Sequence, residues 1–246
     1  MIGLIVGSGF KDFPLTQSHT QLIQTAYGEA EVVIGMLENT RVALIYRHGT
    51  DHRYAPHMVP SRAQIAALKE LCVKAVLATA TVGGLSADNE PGHLTVPDQI
   101  IDYTLGRENT FWDANHPTPI HVDFTYPFDE KVRQALFAAG QEAKVYLFNK
   151  GTYGCTQGPR LETAAEVRRM IMDGCDMVGM TAMPEAGLAR EAGLPYALLC
   201  GSVNWGAGLA EQTLDIEAIG EIQKQVAGHM QKVIVPAIHA LSKGLM

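Results

Sequence analysis

The stretch MIGLIVGSGF, residues 1–10, indicates the fold class of the chain. Its apolar, β-branched run Ile2–Val6 predicts a buried strand. The Gly7-Ser8-Gly9 turn that follows predicts backbone N–H groups that an anion could approach, although a plain tight turn explains the motif equally well. A dinucleotide fingerprint would need a third glycine where Asp12 stands, so we do not expect a dinucleotide cofactor.

Strand-like and helix-like segments alternate along the rest of the chain. Further strands are predicted at Arg41–Tyr46, Ala75–Ala80, Val145–Phe148 and Tyr196–Val203, and helices at Ser61–Cys72, Asp129–Ala139, Thr163–Asp173 and Glu185–Glu191. A long helical stretch ends the chain, and Pro236 should kink or break it. The alternation predicts an α/β fold, with a central sheet flanked by helices, in one domain over residues 1–246. The irregular range 106–126 is expected to be functional or interfacial.

Charge and composition exclude several classes of partner. The 246 residues carry a formal net charge of −7 with no basic block, which argues against a nucleic-acid partner. No stretch reaches the roughly 18 consecutive apolar residues of a membrane span. The four cysteines form no CxxC pair and the N-terminus has no basic leader, so we expect a cytoplasmic protein. Any bound anion must then be held by a local cluster of donors.

A polar segment follows the predicted strand Arg41–Tyr46. Arg47 and His48 would stand at the carboxyl edge of the sheet, where open α/β sheets bind ligands. His48 and His52 could together suggest a metal site, but two flanking arginines would repel a cation, so we predict no metal. A solvated polar loop remains the simpler alternative.

Four more clusters end other predicted strands or begin helices. They are Ala78–Leu85 with Thr81, Gly154–Thr163 with Glu162, Val178–Glu185 with Met180 and Thr181, and Ser202–Gly206 with Asn204. Each has an ordinary structural explanation when taken alone. Glu162 fits a first-turn acid that complements a helix dipole, Met180 a core residue and Asn204 a turn residue. Cys155 has no neighbouring base that would make it a nucleophile.

In order and spacing, these clusters resemble the trimeric family of purine nucleoside and methylthioadenosine phosphorylases. The resemblance covers nearly the whole chain and rests on GSGF, RHGxxH, a strand ending in Gly-Gly-Leu, GPRLET, GMTxMPEAxLARE and Val-Asn. It implies a nucleoside phosphorylase fold with a mixed, partly barrel-like sheet. It also implies a nucleoside and inorganic phosphate as substrates, no cofactor, and a homotrimer.

The resemblance also assigns roles to residues. The phosphate would be surrounded by Ser8, Arg47, His48, Thr81 and Thr181, with the Arg47 fork gripping two oxygens. Met180 would lie under the ribose, and His121 would reach the neighbouring protomer's site. Glu162 and Asn204 would bind the base, with the Asn204 amide donating to the purine as negative charge accumulates on it.

The same residues predict the substrate. A carboxylate and an amide NH₂ match the N1–H and O6 of a 6-oxopurine, whereas adenine-specific relatives carry Ser and Asp there. Ile216 stands where inosine/guanosine phosphorylases have a His that meets the 5′-hydroxyl, which favours a 5′-methylthio group. Within the family the chain therefore looks most like the members that cleave S-methyl-5′-thioinosine. A methylthioadenosine phosphorylase and a general inosine/guanosine phosphorylase are the alternatives.

Three departures from the family pattern put details of the site in question. Ala80 stands where relatives have Asn or Thr, Pro60-Ser61 replaces a more usual Asn-Tyr, and Trp205-Gly206 after Asn204 is atypical. Because Ala80 brings no hydroxyl or amide, a non-catalytic protein that only binds nucleosides is an alternative function. The bulk of Trp205 could reshape the base pocket.

Overall fold

The computed structural model describes residues 1–10, 13–112, 121–210 and 216–244. In the last range it describes the backbone from residue 216 and the side chains from residue 219. Within these ranges the chain forms eleven strands and five α-helices. The strands are β1 (Ile2–Val6), β2 (Thr16–Thr25), β3 (Gly28–Leu37), β4 (Thr40–Tyr46), β5 (Val76–Gly84), β6 (Leu94–Thr95), β7 (Gln99–Asp102), β8 (Leu147–Phe148), β9 (Thr152–Cys155), β10 (Met177–Gly179) and β11 (Tyr196–Trp205). The helices are α1 (Ser61–Glu70), α2 (Glu130–Glu142), α3 (Ala164–Met172), α4 (Glu185–Glu191) and α5 (Ile216–Gly244).

The long strand β5 is the centre of a mixed sheet. It pairs in parallel with β11 along its whole length. Its other edge pairs in parallel with β1 at the beginning and antiparallel with β10 at the end. The sheet therefore divides at β5 into one arm through β1, β4, β3 and β2 and another through β10, β9 and β7. The predicted α/β fold with a central mixed sheet is confirmed.

The mixed sheet is not closed into a barrel. In the described part of the chain the arms through β1 and β10 end at β2 and β7, the branch from β11 through β6 ends at β8, and none of these end strands pairs with another. The reason lies at the carboxyl end of β5, where one edge changes partner from β1 to β10 and the arms diverge. Gly84 allows this crowded junction, since a Cβ there would lie 1.8 Å from the backbone oxygen of Asn89.

Helices cover both faces of the sheet. Successive side chains of β1 point to opposite faces, so Ile5 packs in the core that contains α1 and α4, whereas Leu4 and Val6 pack in the core of α2 and α5. Helix α3 packs against β10 in a smaller third cluster. It begins with a capping box in which Thr163 and Glu166 bond reciprocally. These layers hold the carboxyl ends of β1, β4, β5 and β11 side by side.

The predicted elements are largely confirmed, but the short strands β6, β7 and β9 were not predicted, and the structure differs at four more places. β5 and β11 extend beyond the predicted ends to Gly84 and Trp205, and the strand predicted at Val145–Phe148 is reduced to β8. Helix α5 continues through Pro236, so the expected break is absent. The β2–β3 hairpin was not predicted, because β2 is a polar edge strand. Only Ile23 of β2 is buried. The single domain over residues 1–246 stays a prediction.

Candidate active site

A cavity of about 540 Å³ lies at the carboxyl ends of β1, β4, β5 and β11. This is the edge at which open α/β sheets bind ligands. Eight of the ten predicted site residues line it: Ser8, Arg47, His48, Thr81, Glu162, Met180, Thr181 and Asn204. His121 is exposed and does not line the cavity of its own chain, and the side chain of Ile216 lies outside the described residues.

The Gly7-Ser8-Gly9 turn is fastened to strand β5 and to the loop after β4. The Gly7 backbone N–H donates to the Thr79 hydroxyl at 3.0 Å, so this N–H is already used within the protein. A Cβ at Gly7 would lie 3.0 Å from Nη1 of Arg47, which explains the glycine. The Ser8 hydroxyl lies 3.1 Å from Nε2 of His52. Ser8 is thus the polar side chain that this turn offers to the cavity.

The Nε–Nη2 edge of the Arg47 guanidinium is occupied by hydrogen bonds within the protein. Its Nε and Nη2 donate to the two carboxylate oxygens of Glu185 at 2.7 and 2.8 Å, and Nη1 donates to the Thr79 carbonyl at 2.7 Å. Burial alone would lower the pKa of Arg47, but the Glu185 carboxylate outweighs it and raises that pKa above its ordinary value. The fork predicted to grip phosphate therefore grips Glu185, which leaves two of the five N–H groups for a ligand.

His48 is held as a neutral ring. Its Nδ1 lies 2.9 Å from the Tyr54 carbonyl, and since a carbonyl only accepts, Nδ1 carries the proton. Burial and the nearby charge of Arg47 lower the pKa of His48 to about 4. At neutral pH the other nitrogen, Nε2, is therefore an acceptor. It can bond to a ligand hydroxyl but not to an unprotonated phosphate oxygen.

Glu162 and Asn204 line the same cavity. The Thr156 hydroxyl donates to Oε1 of Glu162 at 2.6 Å and fixes the carboxylate. In β11 the register against β5 shifts between Ser202 and Asn204, a bulge that re-aims the side chain beyond it. The Asn204 amide donates one hydrogen bond to the Trp205 carbonyl at 2.7 Å, leaving its second N–H for a ligand. One acceptor and one donor thus point to the same cavity.

Comparison with known proteins fits this arrangement. Residues 1–239 match the sequence model of the Phosphorylase superfamily. The chain belongs to this superfamily. It is 48% identical to a probable S-methyl-5′-thioinosine phosphorylase of Xylella fastidiosa, over 83% of this chain and 86% of that protein. It is also 38% identical to the 6-oxopurine nucleoside phosphorylase of Pyrococcus furiosus, over 98% of this chain and 93% of that one.

Solved structures of the superfamily have the same fold. The methylthioadenosine phosphorylase of Schistosoma mansoni in complex with adenine superposes with a TM-score of 0.93 at 29% identity, covering 99% of this chain and 94% of that one. A methylthioadenosine phosphorylase from an antarctic soil metagenomic library superposes with a TM-score of 0.92 at 34% identity, covering 98% and 86%. The predicted family resemblance is therefore confirmed.

Two of the departures from the phosphorylase pattern lie away from the cavity. Ala80 lines it and brings no polar side-chain atom. Trp205 does not line it, so its bulk does not shape the base end directly. Pro60 precedes α1, next to a separate small cavity.

The sequence analysis missed Arg107, which ties two loops of the phosphorylase site together. Its guanidinium donates to the carbonyls of Thr156 and Gln157, which precede Glu162, and to those of Met180 and Met183, which flank Thr181. The distances run from 2.6 to 3.1 Å. Arg107 lies in the irregular range before residue 113, where no periodic pattern marks it. Glu185, Ile219 and Gln223 were likewise given no site role in the sequence analysis.

Neither a metal centre nor a membrane segment was found where the structure describes the chain. Among the described residues no group of three or more His, Cys, Asp or Glu could hold a metal ion. His48 and His52, the pair considered above, stack on each other at 5.1 Å and bond to Tyr54 and Ser8 instead. None of the described helices combines the length and the apolar character that a membrane span requires.

Proposed function

We propose that this chain cleaves the glycosidic bond of 6-oxopurine nucleosides with inorganic phosphate. The observation that carries the proposal is the pairing of Glu162 with Asn204 in one cavity with Ser8, Thr81 and Thr181. The hydroxyl-lined end suits a phosphate, and the carboxylate and amide end suits a 6-oxopurine. The relatives named for 6-oxopurine nucleosides and for S-methyl-5′-thioinosine support the same assignment.

Base recognition follows from the hydrogen bonds already made inside the protein. The Thr156 hydroxyl occupies Oε1 of Glu162, so Oε2 accepts from the purine N1–H. The second N–H of Asn204 donates to O6 or N7 of the ring. Adenine would instead turn its N1 lone pair toward the carboxylate and its amino donor toward the amide donor. Such mismatches leave buried polar groups unpaired and discriminate strongly.

The reaction needs no group beyond these side chains and the two substrates. As the C1′–N9 bond breaks, its electron pair moves onto the purine, where the Asn204 amide stabilises the growing negative charge. The sugar becomes an oxocarbenium-like cation that the phosphate stabilises, and a phosphate oxygen then forms the bond to C1′. The proton that phosphate brings as HPO₄²⁻ ends on the released base. Met180 would pack under the ribose.

We propose S-methyl-5′-thioinosine as the preferred substrate, with hypoxanthine and 5-methylthioribose 1-phosphate as products. Ile216 would leave a 5′-hydroxyl without a partner, which costs roughly 1–3 kcal/mol. Ile219, one turn further along α5, lines the cavity and adds apolar surface on the same helix. A general inosine/guanosine phosphorylase is the alternative, and a higher kcat/KM for inosine than for methylthioinosine would favour it.

A methylthioadenosine phosphorylase is the second candidate, because the solved structures that superpose well carry that name. Glu162 and Asn204 argue against it. We also propose a homotrimer in which His121 reaches the neighbouring site, on the family resemblance alone. A cytoplasmic location fits the four cysteines, all of which are free thiols.

The test is the release of hypoxanthine from methylthioinosine with and without phosphate. We expect release to depend on phosphate and to yield one sugar 1-phosphate per base. Release at the same rate without phosphate would indicate a hydrolase. Binding of nucleoside without release would indicate the non-catalytic alternative that Ala80 left open.

A further inference from the structure

A second histidine of the loop after β4 touches the phosphate end of the cavity. His52 lines the cavity, and its Nε2 lies 3.1 Å from the Ser8 hydroxyl. Its ring stacks on that of His48, with centroids 5.1 Å apart and planes 27° apart. Ser8, His48 and His52 therefore form one connected group, which we call the serine–histidine cluster.

The loop holds His52 in an uncommon backbone conformation. Its φ is +59°, in the left-handed region that few residues other than glycine adopt. Hydrogen bonds from the His52 N–H to the Gly49 carbonyl and from the Tyr54 N–H to the His48 carbonyl close the loop around it. Such strained positions cluster at functional sites. The conformation, the hydrogen bond and the ring stack together fix where the His52 ring lies.

The phosphate end has few donors besides hydroxyl groups. Glu185 neutralises Arg47 and leaves it two N–H groups for a ligand, Thr79 uses the Gly7 N–H, and Ala80 brings no donor. A bound phosphate must therefore rely heavily on the hydroxyls of Ser8, Thr81 and Thr181. A serine hydroxyl has one proton, so its direction decides whether Ser8 serves a phosphate. If Ser8 donated to His52, that proton would be lost to the ligand.

We propose that His52 is a positioning residue for phosphate, whose Nε2–H donates to Ser8 Oγ and so turns the Ser8 proton toward the bound phosphate. His48 allows this without charge repulsion, because its buried ring is neutral at neutral pH. The inference rests on the proposed phosphorolysis. It adds a residue to the phosphate site and a direction to the Ser8 hydrogen bond.

The test compares His52→Leu with His52→Gln in the full chain. Both replacements meet the same backbone strain, but only glutamine keeps an N–H donor near Ser8. With methylthioinosine saturating, we expect His52→Leu to raise the phosphate KM roughly two- to tenfold, the range of one hydrogen bond. The nucleoside KM should stay within about twofold, and His52→Gln should recover most of the phosphate affinity. His57→Gln, an exposed histidine outside the cavity, is the matched control.

A double-mutant cycle with Ser8→Ala separates positioning from other roles. If His52 acts through Ser8, adding His52→Leu to Ser8→Ala should leave the phosphate KM unchanged. The inference is overturned if the two effects multiply, if Leu and Gln behave alike, or if both substrates' KM values rise together.

The inference can fail without the proposed function failing. If the wild-type protein cleaves methylthioinosine with phosphate and the His52→Leu variant has an unchanged phosphate KM, only the role of His52 is disproved. A wild-type protein that never releases base would instead remove the proposed function. Calorimetric titration of inorganic phosphate into the same variants would then test His52 directly, with the same expected ratios of dissociation constants.

Discussion

Arg47 and Glu185 form a buried, two-point ion pair beneath the phosphate end of the cavity. Nε and Nη2 of Arg47 reach the two carboxylate oxygens at 2.7 and 2.8 Å, and the side chains are 2% and 1% exposed. The Tyr196 hydroxyl donates to the same carboxylate at 2.7 Å. The pair joins the loop after β4 to helix α4 and makes Arg47 a fixed donor with a balanced charge.

Glu185→Gln should destabilise the protein strongly. It leaves the Arg47 guanidinium buried without a counter-charge, and breaking a buried pair costs about 3–5 kcal/mol. Urea unfolding measures the loss in the free energy of unfolding. Glu221→Gln, which removes the exposed partner of Lys224, is the control and should cost far less, because solvent screens that pair. Equal losses for both variants would show that the Arg47–Glu185 pair has no special weight.

Arg107→Met should lower the kcat/KM for nucleoside cleavage by a larger factor than it lowers the equilibrium constant for folding. It frees the carbonyls of Thr156 and Met180, so the loops carrying Glu162 and Thr181 lose their common anchor. Small displacements of positioned groups cost between about 10- and 100-fold in rate. Steady-state kcat/KM checks this, with Arg160→Met, an exposed arginine paired with Glu166, as control. Unchanged kcat/KM in Arg107→Met would show that the loops hold without it.

Asn204→Asp should move base preference toward adenine. The carboxylate of the variant would accept a hydrogen bond from the adenine amino group. The Asn204 amide of the wild type instead donates to O6 of a 6-oxopurine. We expect the ratio of kcat/KM for methylthioinosine over methylthioadenosine to fall at least roughly tenfold, since paired hydrogen bonds dominate such discrimination. An unchanged ratio would mean that Asn204 does not face the base.

His48→Gln should flatten the acid side of the stability profile. The folded protein holds the pKa of His48 at about 4, below the value of 6.5 for an exposed histidine. Between these values the unfolded chain binds a proton that the folded chain does not, so stability falls as the pH drops through this window. The fall in Tm from pH 7 to pH 5 should therefore be smaller in His48→Gln than in the wild type and in the matched His57→Gln. An equal fall in all three would contradict the neutral, buried ring.

The sequence predicted the strands that carry the site because their apolar runs are long and buried. β1, β4, β5 and β11 have such runs, and the polar residues after them mark the ligand edge. The β2 strand escaped prediction because it lies at the edge of the sheet with polar, exposed side chains. Arg107 and the Arg47–Glu185 pair escaped because both depend on contacts between distant segments. The openness of the sheet could not be predicted for the same reason, because the change of partner at β5 leaves no local sequence pattern.

The most direct test of the account is the ratio of kcat/KM for methylthioinosine over methylthioadenosine at saturating phosphate. Glu162 and Asn204 predict a ratio of at least roughly 10⁴, the discrimination of sites built on paired hydrogen bonds. A ratio near or below one would contradict the 6-oxopurine assignment and make the chain a methylthioadenosine phosphorylase.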